Sequence, residues 1–557
     1  MSTTSQKSKL LSILLLTGGC QGDPATAPVT LGSASLAHVV QEVPLRAAPN
    51  AWPKKSDDSL WASIARSDSS AVVGLKGPAA SRGIWRATIL ISSSEHAGAL
   101  EALGNVPGVR IVSRLDPMPA VVVRFSSKGA LQQLRRLPFV DYIEPTGWIE
   151  PHLFDDSGCG SSGQFTESQH STPEGDVVGW SYDYWHHDVE EAWERSSGDN
   201  VRVAILDTGL DDSNTQFSTF FASGLSTDRV LTKNWSEAAS SNAPAPWWDE
   251  CGHGTRVAGV IGAPRDGRDV AGIAYKADIL AMRVGSDVVN WFNEVDVYHG
   301  LTYAVGTWTA KVVEMAFGAS NYSYLISDYI SYTYHRPGGP VYVAAIGNGG
   351  VPNASFPAEM DEVIGVVAMN SDGSRNSNSS WGPDAEVAGF VPVPATGAIS
   401  KGDAAFTRLS LTSGASATIA GIAALIYGVH PSWTNEQVRT RLKQAGSHPN
   451  ERNWQNGYGY VNAWLAVGGT TWLVMSGREC ATYADSFITV SVNVNGDGPF
   501  HVRWDTGEEW TNTINVTPAP SGEYRYVTVE VTDMLSGRVY SGIKAIYTTT
   551  ELVDYCE

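Results

Sequence analysis

The chain has 557 residues, which is too long for a single hydrophobic core and predicts about three or four domains. With 42% hydrophobic and 17% charged residues, most of it should fold as ordinary globular protein. The formal net charge of −20 argues against nucleic acid as a partner, because phosphates need a basic protein surface.

Residues 1–20, MSTTSQKSKLLSILLLTGGC, have the pattern of an export signal: a basic start, a short apolar run and a small-residue cleavage site. The apolar run is too short to span a bilayer. Cys20 is placed as in the lipobox of bacterial lipoproteins, although Thr17 stands where that pattern prefers leucine, so an ordinary secretory signal is the alternative. We expect a protein that is secreted, or anchored at the bacterial cell envelope through a lipidated Cys20.

Residues 21–83 begin with an Ala/Pro/Ser-rich stretch and are predicted to be a tether with an extension of the next domain. Over residues 84–150, apolar periodicity predicts the order β-α-β-β-α-β, which is the split βαβ arrangement of a ferredoxin-like α+β domain. Its predicted strands are 84–92, 109–115, 120–125 and 139–145, and its predicted helices are 94–106 and 128–137.

Residues 151–468 open with a Gly/Ser-rich break and then alternate between strands and helices. Near-continuous apolar runs are typical of strands buried on both faces of a mostly parallel sheet, so this part is predicted to be α/β. The runs are 201–207, 278–284, 311–318, 340–348 and 362–369. Residues 469–557 change to short alternating strands with turn signals, which predict a small immunoglobulin-like β-sandwich.

Three residues of the α/β part could act together. Asp207 ends a buried strand, at the edge where such sheets bind ligands. His253 lies between two glycines at the start of a small-residue helix, and Ser413 opens an Ala/Gly/Ile-rich helix. Taken singly, they could equally be a turn residue, a structural histidine and a helix cap. Their occurrence in the order Asp, His, Ser favours chemistry.

Around these residues the chain resembles the subtilisin-like serine proteases (subtilases). VAILDTG resembles the family's aspartate motif, GHGTRVAG its histidine motif and LTSGASATIAG its serine motif. Counting back from Gly421 places the nucleophile at Ser413 and leaves Ser416 on a variable position. Three positions depart from the family motifs: Leu411 stands for glycine, Ala417 for proline and Arg256 for histidine.

The resemblance implies a catalytic role for each of these residues. Ser413 would be the nucleophile, His253 the base and Asp207 the group that orients the base. The Ser413 amide and the Asn348 side chain, in AAIGNGG, would stabilise the oxyanion. EMAFGAS resembles the strand that pairs with an extended substrate, so the backbone of Ala316, Phe317 and Gly318 would line the groove. Glu314 replaces the asparagine of that motif.

Residues 84–150 would then be the inhibitory propeptide that templates folding and blocks the groove until it is cleaved.

Cys480 and Cys556 flank the C-terminal sandwich and should pair, which leaves Cys159 for Cys251. For that second bridge to stay within the mature chain, autoprocessing must precede Cys159. We therefore expect the mature N-terminus between His152 and Cys159, with Asp155 the favoured start.

The sequence thus predicts an exported serine endopeptidase that is made as an autoprocessed zymogen and acts on protein or peptide substrates. No cofactor is required for the chemistry, although structural calcium is an option because the family often binds it. Two alternatives stay open: an inactive subtilase-like binding protein, and a surface- or polymer-binding protein that acts through its C-terminal sandwich. An α/β-hydrolase esterase is disfavoured, because it needs G-x-S-x-G and the order Ser, Asp, His.

Overall fold

The protein is described by a computed structural model, and all described residues belong to one compact unit, Arg46–Glu557. The structure describes residues 56–66, 70–75, 93–146, 170–171, 177–179, 187–211, 230–234, 248–249, 251–267, 270–286, 291–371, 373–396, 406–449, 451–469, 472–476, 480–481, 488–495, 500–518, 520, 524–533 and 539–548.

The first part of the fold, here called the N-terminal unit, is an antiparallel sheet of strand order β2-β3-β1-β4 with helices packed on one face. Apolar side chains alternate along its strands, and one set forms a core with the helices. The elements are α1 (Asp57–Arg66), β1 (Ser70–Leu75), α2 (Ser93–Gly104), β2 (Val109–Arg114), β3 (Ala120–Phe125), α3 (Lys128–Leu134) and β4 (Val140–Pro145).

The helices and strands of this unit from α2 onward lie within three residues of their predicted ends. The predicted first strand, 84–92, falls outside the described residues. The strand that precedes α2 in the sheet is β1, at residues 70–75, and α1 lies before it. The folded unit therefore begins well before residue 84, inside the stretch assigned from sequence to a tether and extension.

The central part of the chain contains the α/β elements. Its strands are β5 (His170–Ser171), β6 (Val177–Gly179), β7 (Arg202–Asp207), β8 (Val230–Asn234), β9 (Asp278–Arg283), β10 (Gly285–Ser286), β11 (Trp291–Phe292), β12 (Val312–Met315), β13 (Val341–Ala345), β14 (Val363–Met369), β15 (Ala385–Phe390), β16 (Val393–Thr396) and β17 (Phe406–Leu409). Its helices are α4 (Val189–Ala192), α5 (His253–Gly262), α6 (Glu294–Leu301), a π-helical turn (Thr302–Thr307), α7 (Tyr324–Tyr334), α8 (Leu411–Val429), α9 (Asn435–Gln444) and α10 (Ala463–Ala466).

Seven of these strands form one sheet in the order β15-β14-β13-β12-β7-β9-β8, and every pairing is parallel. All five predicted apolar runs are strands of this sheet, which β8 and β15 extend at its two edges. Alternate side chains point to opposite faces, so β12 turns Val312 toward the core that includes α5 and α8 and turns Val313 toward α6 and α7.

Helix α8 is long and apolar enough to cross a membrane by length and composition alone. Its most apolar window is 89% buried inside the protein, against the sheet and α5. It is therefore the central helix of the α/β part.

The N-terminal unit packs through the free face of its sheet onto α6 and α7 of the α/β part. Val72, Val122 and Tyr142 share one apolar core with these helices. The Tyr298 hydroxyl, on α6, donates to the Leu115 carbonyl at 2.6 Å, and the Met118 amide donates to the same hydroxyl oxygen at 3.3 Å. Tyr298 thus joins the two parts of the chain.

The C-terminal residues form two small sheets, of strand order β18-β20-β22 and β19-β24-β23-β21. Apolar side chains from both sheets, among them Val490 and Trp504, form one buried core between them. The predicted resemblance to an immunoglobulin domain stays a prediction. The strands are β18 (Trp472–Ser476), β19 (Cys480–Ala481), β20 (Ile488–Asn495), β21 (Phe500–Trp504), β22 (Thr513–Val516), β23 (Tyr524–Asp533) and β24 (Val539–Thr548).

Candidate active site

Asp207 and His253 meet at the carboxyl edge of the parallel sheet. Asp207 is the last residue of β7, and His253 is the first residue of α5. His253 Nδ1 lies 2.9 Å from Asp207 Oδ1 and 3.0 Å from Oδ2, and both side chains are almost fully buried. The contact needs Gly254, because a Cβ there would lie 2.4 Å from the Gly209 carbonyl oxygen. The small residue after the histidine therefore allows α5 to reach the aspartate loop.

Asp249 holds the segments around Asp207 and His253 together and was not predicted from the sequence. Its carboxylate accepts from the Gly252 amide at 2.7 Å and from the Thr255 amide at 2.8 Å, on either side of His253. It also accepts from the Thr208 hydroxyl at 2.8 Å, next to Asp207. One buried carboxylate thus fixes both the histidine helix and the aspartate loop. Its position just before CGHGT was the available sequence signal.

Ser413 lies in the first turn of α8 and is buried. Its hydroxyl donates to the Ala316 carbonyl at 3.2 Å, at the end of β12. Leu411, where the family motif has glycine, has a φ of 56° in the left-handed region that favours glycine. The helix continues without a break through Ala417, where the motif has proline.

Asn348 follows β13 and lies beside the start of α8. Its Oδ1 accepts from the Thr412 amide at 3.1 Å and from the Thr412 hydroxyl at 2.7 Å. Because these two donors fix the amide oxygen next to Ser413, they also fix the orientation of the amide nitrogen, which carries the donors that an oxyanion requires.

Glu314 lies on β12 and is fully buried. The Ser416 hydroxyl, on α8, is 2.8 Å from Glu314 Oε1 and 3.1 Å from the Ser413 carbonyl oxygen. Burial raises the pKa of the Glu314 carboxyl well above its usual range, and the charge of Asp207 raises it further. In the sequence, Glu314 stands out as a departure from the subtilase motif, and no role was predicted for it.

The predicted groove residues Ala316, Phe317 and Gly318 directly follow β12. The Phe317 ring stacks on Phe292 at a centroid distance of 4.6 Å and belongs to the core on the α6 and α7 side of the sheet. Any contact with a substrate along these residues would therefore come from their backbone groups.

The remaining predicted site residues are cysteines. Cys251 is disulfide-bonded and buried beside the histidine helix. Cys20, Cys159 and Cys556 lie outside the described residues, and only the strand backbone is described at Cys480. Within the described part of the chain, no three His, Cys, Asp or Glu side chains are grouped so that they could hold a metal ion. Structural calcium stays a prediction.

Comparison with known proteins identifies the family of this chain. Residues 198–461 match the model of the subtilase family. Subtilisin BL of Lederbergia lenta is 30% identical over 273 residues, which are 49% of this chain and 92% of that protein. The chain belongs to the subtilase family.

Two further relatives extend the match. A thermostable alkaline protease of Halalkalibacterium halodurans is 26% identical over 380 residues, which cover 68% of this chain and 91% of the relative. Subtilisin E of Bacillus subtilis is 29% identical over 283 residues, covering 49% of this chain and 66% of the relative. This subtilase is a serine-type endopeptidase that acts on protein or peptide substrates, as the sequence predicted.

Proposed function

We propose that Asp207, His253 and Ser413 are the catalytic triad of this subtilase. The single observation that carries the proposal is the buried contact of His253 Nδ1 with both Asp207 carboxylate oxygens. The aspartate thereby fixes the orientation and tautomer of the ring and leaves Nε2 to accept a proton. The Ser413 hydroxyl has a single proton, which it donates to the Ala316 carbonyl in this structure. The hydroxyl must therefore break this hydrogen bond before it can give the proton to His253.

The reaction is acyl transfer in two stages. Ser413 Oγ attacks the scissile carbonyl carbon while His253 Nε2 takes the hydroxyl proton. His253 then gives this proton to the departing amine, and an acyl-enzyme ester remains. A water molecule attacks the ester by the same route, which releases the carboxylic acid and restores the Ser413 hydroxyl.

Negative charge on the carbonyl oxygen is stabilised by two donors. The Ser413 amide lies in the first turn of α8, where the helix dipole favours an anion. The Asn348 amide nitrogen is the second donor, held in orientation by Thr412. Loss of one such donor costs about 3–4 kcal/mol, a magnitude that was measured in a member of this family.

The N-terminal unit acts as the intramolecular inhibitor. The best support is Glu144, the next-to-last residue of β4, whose carboxylate accepts from the Ser323 hydroxyl at 3.1 Å and from the Tyr324 and Leu325 amides at 2.8 and 3.0 Å. It therefore caps α7 of the protease. The chain leaves this docked strand at residue 145, and the maturation window between His152 and Cys159 follows within a short distance.

Export, maturation and the disulfides complete the proposal. The signal at residues 1–20 directs the chain out of the cytoplasm, into an environment in which disulfides persist. A lipidated Cys20 would attach the protein to the envelope. Cys251 pairs with Cys159, and Cys480 pairs with Cys556. The C-terminal sheets form an accessory domain, and structural calcium stays an option rather than a requirement of the chemistry.

In the experiment, the full-length chain is expressed and allowed to process itself, and the product is treated with a biotinylated fluorophosphonate and analysed by peptide mapping. Label should appear on Ser413 alone and disappear in Ser413→Ala. Ser410→Ala is the matched control, because Ser410 lies three residues earlier and its side chain makes no capping hydrogen bond. Absence of label from a folded, processed wild-type chain would refute the proposal and favour an inactive binding protein.

A further inference from the structure

The interior face of β12 contains an acid where the surrounding core is apolar. Its neighbour Val312, on the same face, packs in the core that includes α5 and α8. Glu314 is 0% exposed, and its Oε2 makes no well-formed hydrogen bond with any residue that the structure describes. A carboxylate in such a place would be costly, because it would be a buried charge without a cationic partner.

The hydrogen bonds at Ser416 have a direct bearing on the protonation of this acid. Two oxygens lie within hydrogen-bond distance of the Ser416 hydroxyl: Glu314 Oε1 at 2.8 Å and the Ser413 carbonyl at 3.1 Å. If Glu314 were ionised, both would be acceptors competing for a single hydroxyl proton. If Glu314 is protonated, its O–H donates to Ser416 Oγ, and the Ser416 proton goes to the Ser413 carbonyl. Only the protonated form satisfies both contacts.

We propose that Glu314 is a positioning residue of the catalytic centre: a neutral carboxylic acid that, through Ser416, holds the backbone of the nucleophile Ser413. This inference rests on the proposed role of Ser413. A hydrogen-bonded chain runs from Glu314 through Ser416 to the Ser413 carbonyl and fixes the backbone of the nucleophile. The hydrogen bond between Thr412 and Asn348 fixes the residue before the nucleophile, next to the site of the oxyanion.

The charged surroundings agree with a neutral acid. From β7, Asp207 faces Glu314 and disfavours a second negative charge, and from α5, His253 is bonded to Asp207 on its other side. Helix α8 has no charged residue over its whole length, and β13 has none either. In the part of the chain that the structure describes, the Ser416 hydroxyl and the Ala316 amide are the groups that favour ionisation, and both are neutral dipoles.

Three variants test the proposal in the processed enzyme. Glu314→Gln keeps the size and a donor for Ser416 but cannot ionise, so kcat should stay within about threefold of the parent value. Glu314→Leu keeps the approximate volume without any donor, so kcat should fall by about 10- to 100-fold with KM nearly unchanged. Ser416→Ala breaks the same chain at its middle, and the double variant with Glu314→Leu should lose no more than the worse single variant.

The fall of kcat at nearly unchanged KM separates positioning from a merely structural role, and the pH dependence of kcat/KM tests whether Glu314 is neutral. An ionised Glu314 would add negative charge beside Asp207 and favour the protonated imidazole, so its replacement by Gln would move the acid limb to lower pH. We expect the acid limbs of the parent and Glu314→Gln to coincide within about 0.3 pH unit, because both side chains are neutral. In an infrared difference spectrum of the two proteins, the parent should show the carbonyl stretch of a protonated carboxylic acid.

Thr418→Val is the matched control, because its hydroxyl bonds the Gly414 carbonyl on the same helix without contacting Glu314. It should keep kcat within about twofold, and equal urea midpoints for all variants would exclude loss of folding as the cause. A shifted acid limb, a carboxylate band, or equal activity of Glu314→Leu and Glu314→Gln would overturn the inference. If the fluorophosphonate still labels Ser413 in the parent, such results leave the proposed function intact.

Discussion

Protonation of the buried His187 should destabilise this protein in acid. His187 is completely buried, with Nδ1 2.5 Å from the Val461 carbonyl and Nε2 accepting from the Phe390 amide at 3.1 Å. The Nδ1–H donates and the Nε2 accepts, so the ring is neutral. A second proton, on Nε2, would point at the Phe390 N–H, so two donors would face each other without an acceptor. Burial lowers the pKa of His187 from 6.5 to about 4, although the bond to the Val461 carbonyl acts in the opposite direction.

The magnitude follows from linkage. Above pH 6.5 the imidazole is neutral in both the folded and the unfolded chain, so its full contribution to stability is present. As the pH falls, the unfolded chain binds the proton first, and stability is lost until the folded protein also binds it near pH 4. The loss is about 2 kcal/mol at pH 5 and about 3 kcal/mol at pH 4.

The assay is equilibrium urea unfolding of the full-length Ser413→Ala chain, called the inactive precursor, which cannot digest itself. His187→Asn keeps a donor for the Val461 carbonyl, cannot titrate, and should be less stable at pH 7, because the Phe390 amide loses its acceptor. Between pH 7 and pH 5, the parent should lose about 2 kcal/mol more than the variant. Parallel stability curves for the two proteins would refute the reasoning.

Three other substitutions have defined outcomes. Leu411→Gly should raise the free energy of unfolding of the inactive precursor by about 0.5–1 kcal/mol, because it relieves a left-handed backbone; an unchanged value in urea would contradict the strain. Gly254→Ala should abolish peptide hydrolysis, because its Cβ would collide with the aspartate loop; activity above about a tenth of the parent's in a folded enzyme would contradict this. Glu144→Ala should weaken docking of the N-terminal unit by about 3 kcal/mol, because it removes the acceptor of three hydrogen bonds. In the inactive precursor, exchange of the Met118 amide, which donates across the interface, should then accelerate about 100-fold, and unchanged exchange would refute the capping.

The parallel sheet could be predicted because its strands are buried on both faces. Each of the five predicted runs is apolar along nearly its whole length, and all five are strands. The edge strand β15, AEVAGF, escaped prediction because its glutamate breaks the apolar run. Glu386 is nevertheless buried there, since Arg439 and Lys443 pair with it from α9. Such a pairing joins residues far apart in sequence and leaves no local pattern.

The candidate site was predictable where chemistry and close packing demand particular residues at particular spacings. The glycine after His253 and the strand-terminal Asp207 are local requirements, and the structure brings these two residues together. Asp249 is different, because its partners lie on two separate segments and a single acid before a loop is common in any sequence. Strand β1 was missed for a related reason: SAVVGL is short, and a longer apolar run at 84–92 competed with it.

The burial of α8 determines how this enzyme stops working when it is heated. Ser413 lies at the start of a helix that is largely enclosed between the parallel sheet and α5, so fraying of a surface element does not remove it from the candidate site. Thermal inactivation should therefore require global unfolding of the protease core, and the half-life of activity should equal the unfolding half-life of that core. Each molecule that unfolds becomes a substrate for its folded neighbours, so inactivation is irreversible and is followed at once by autolysis.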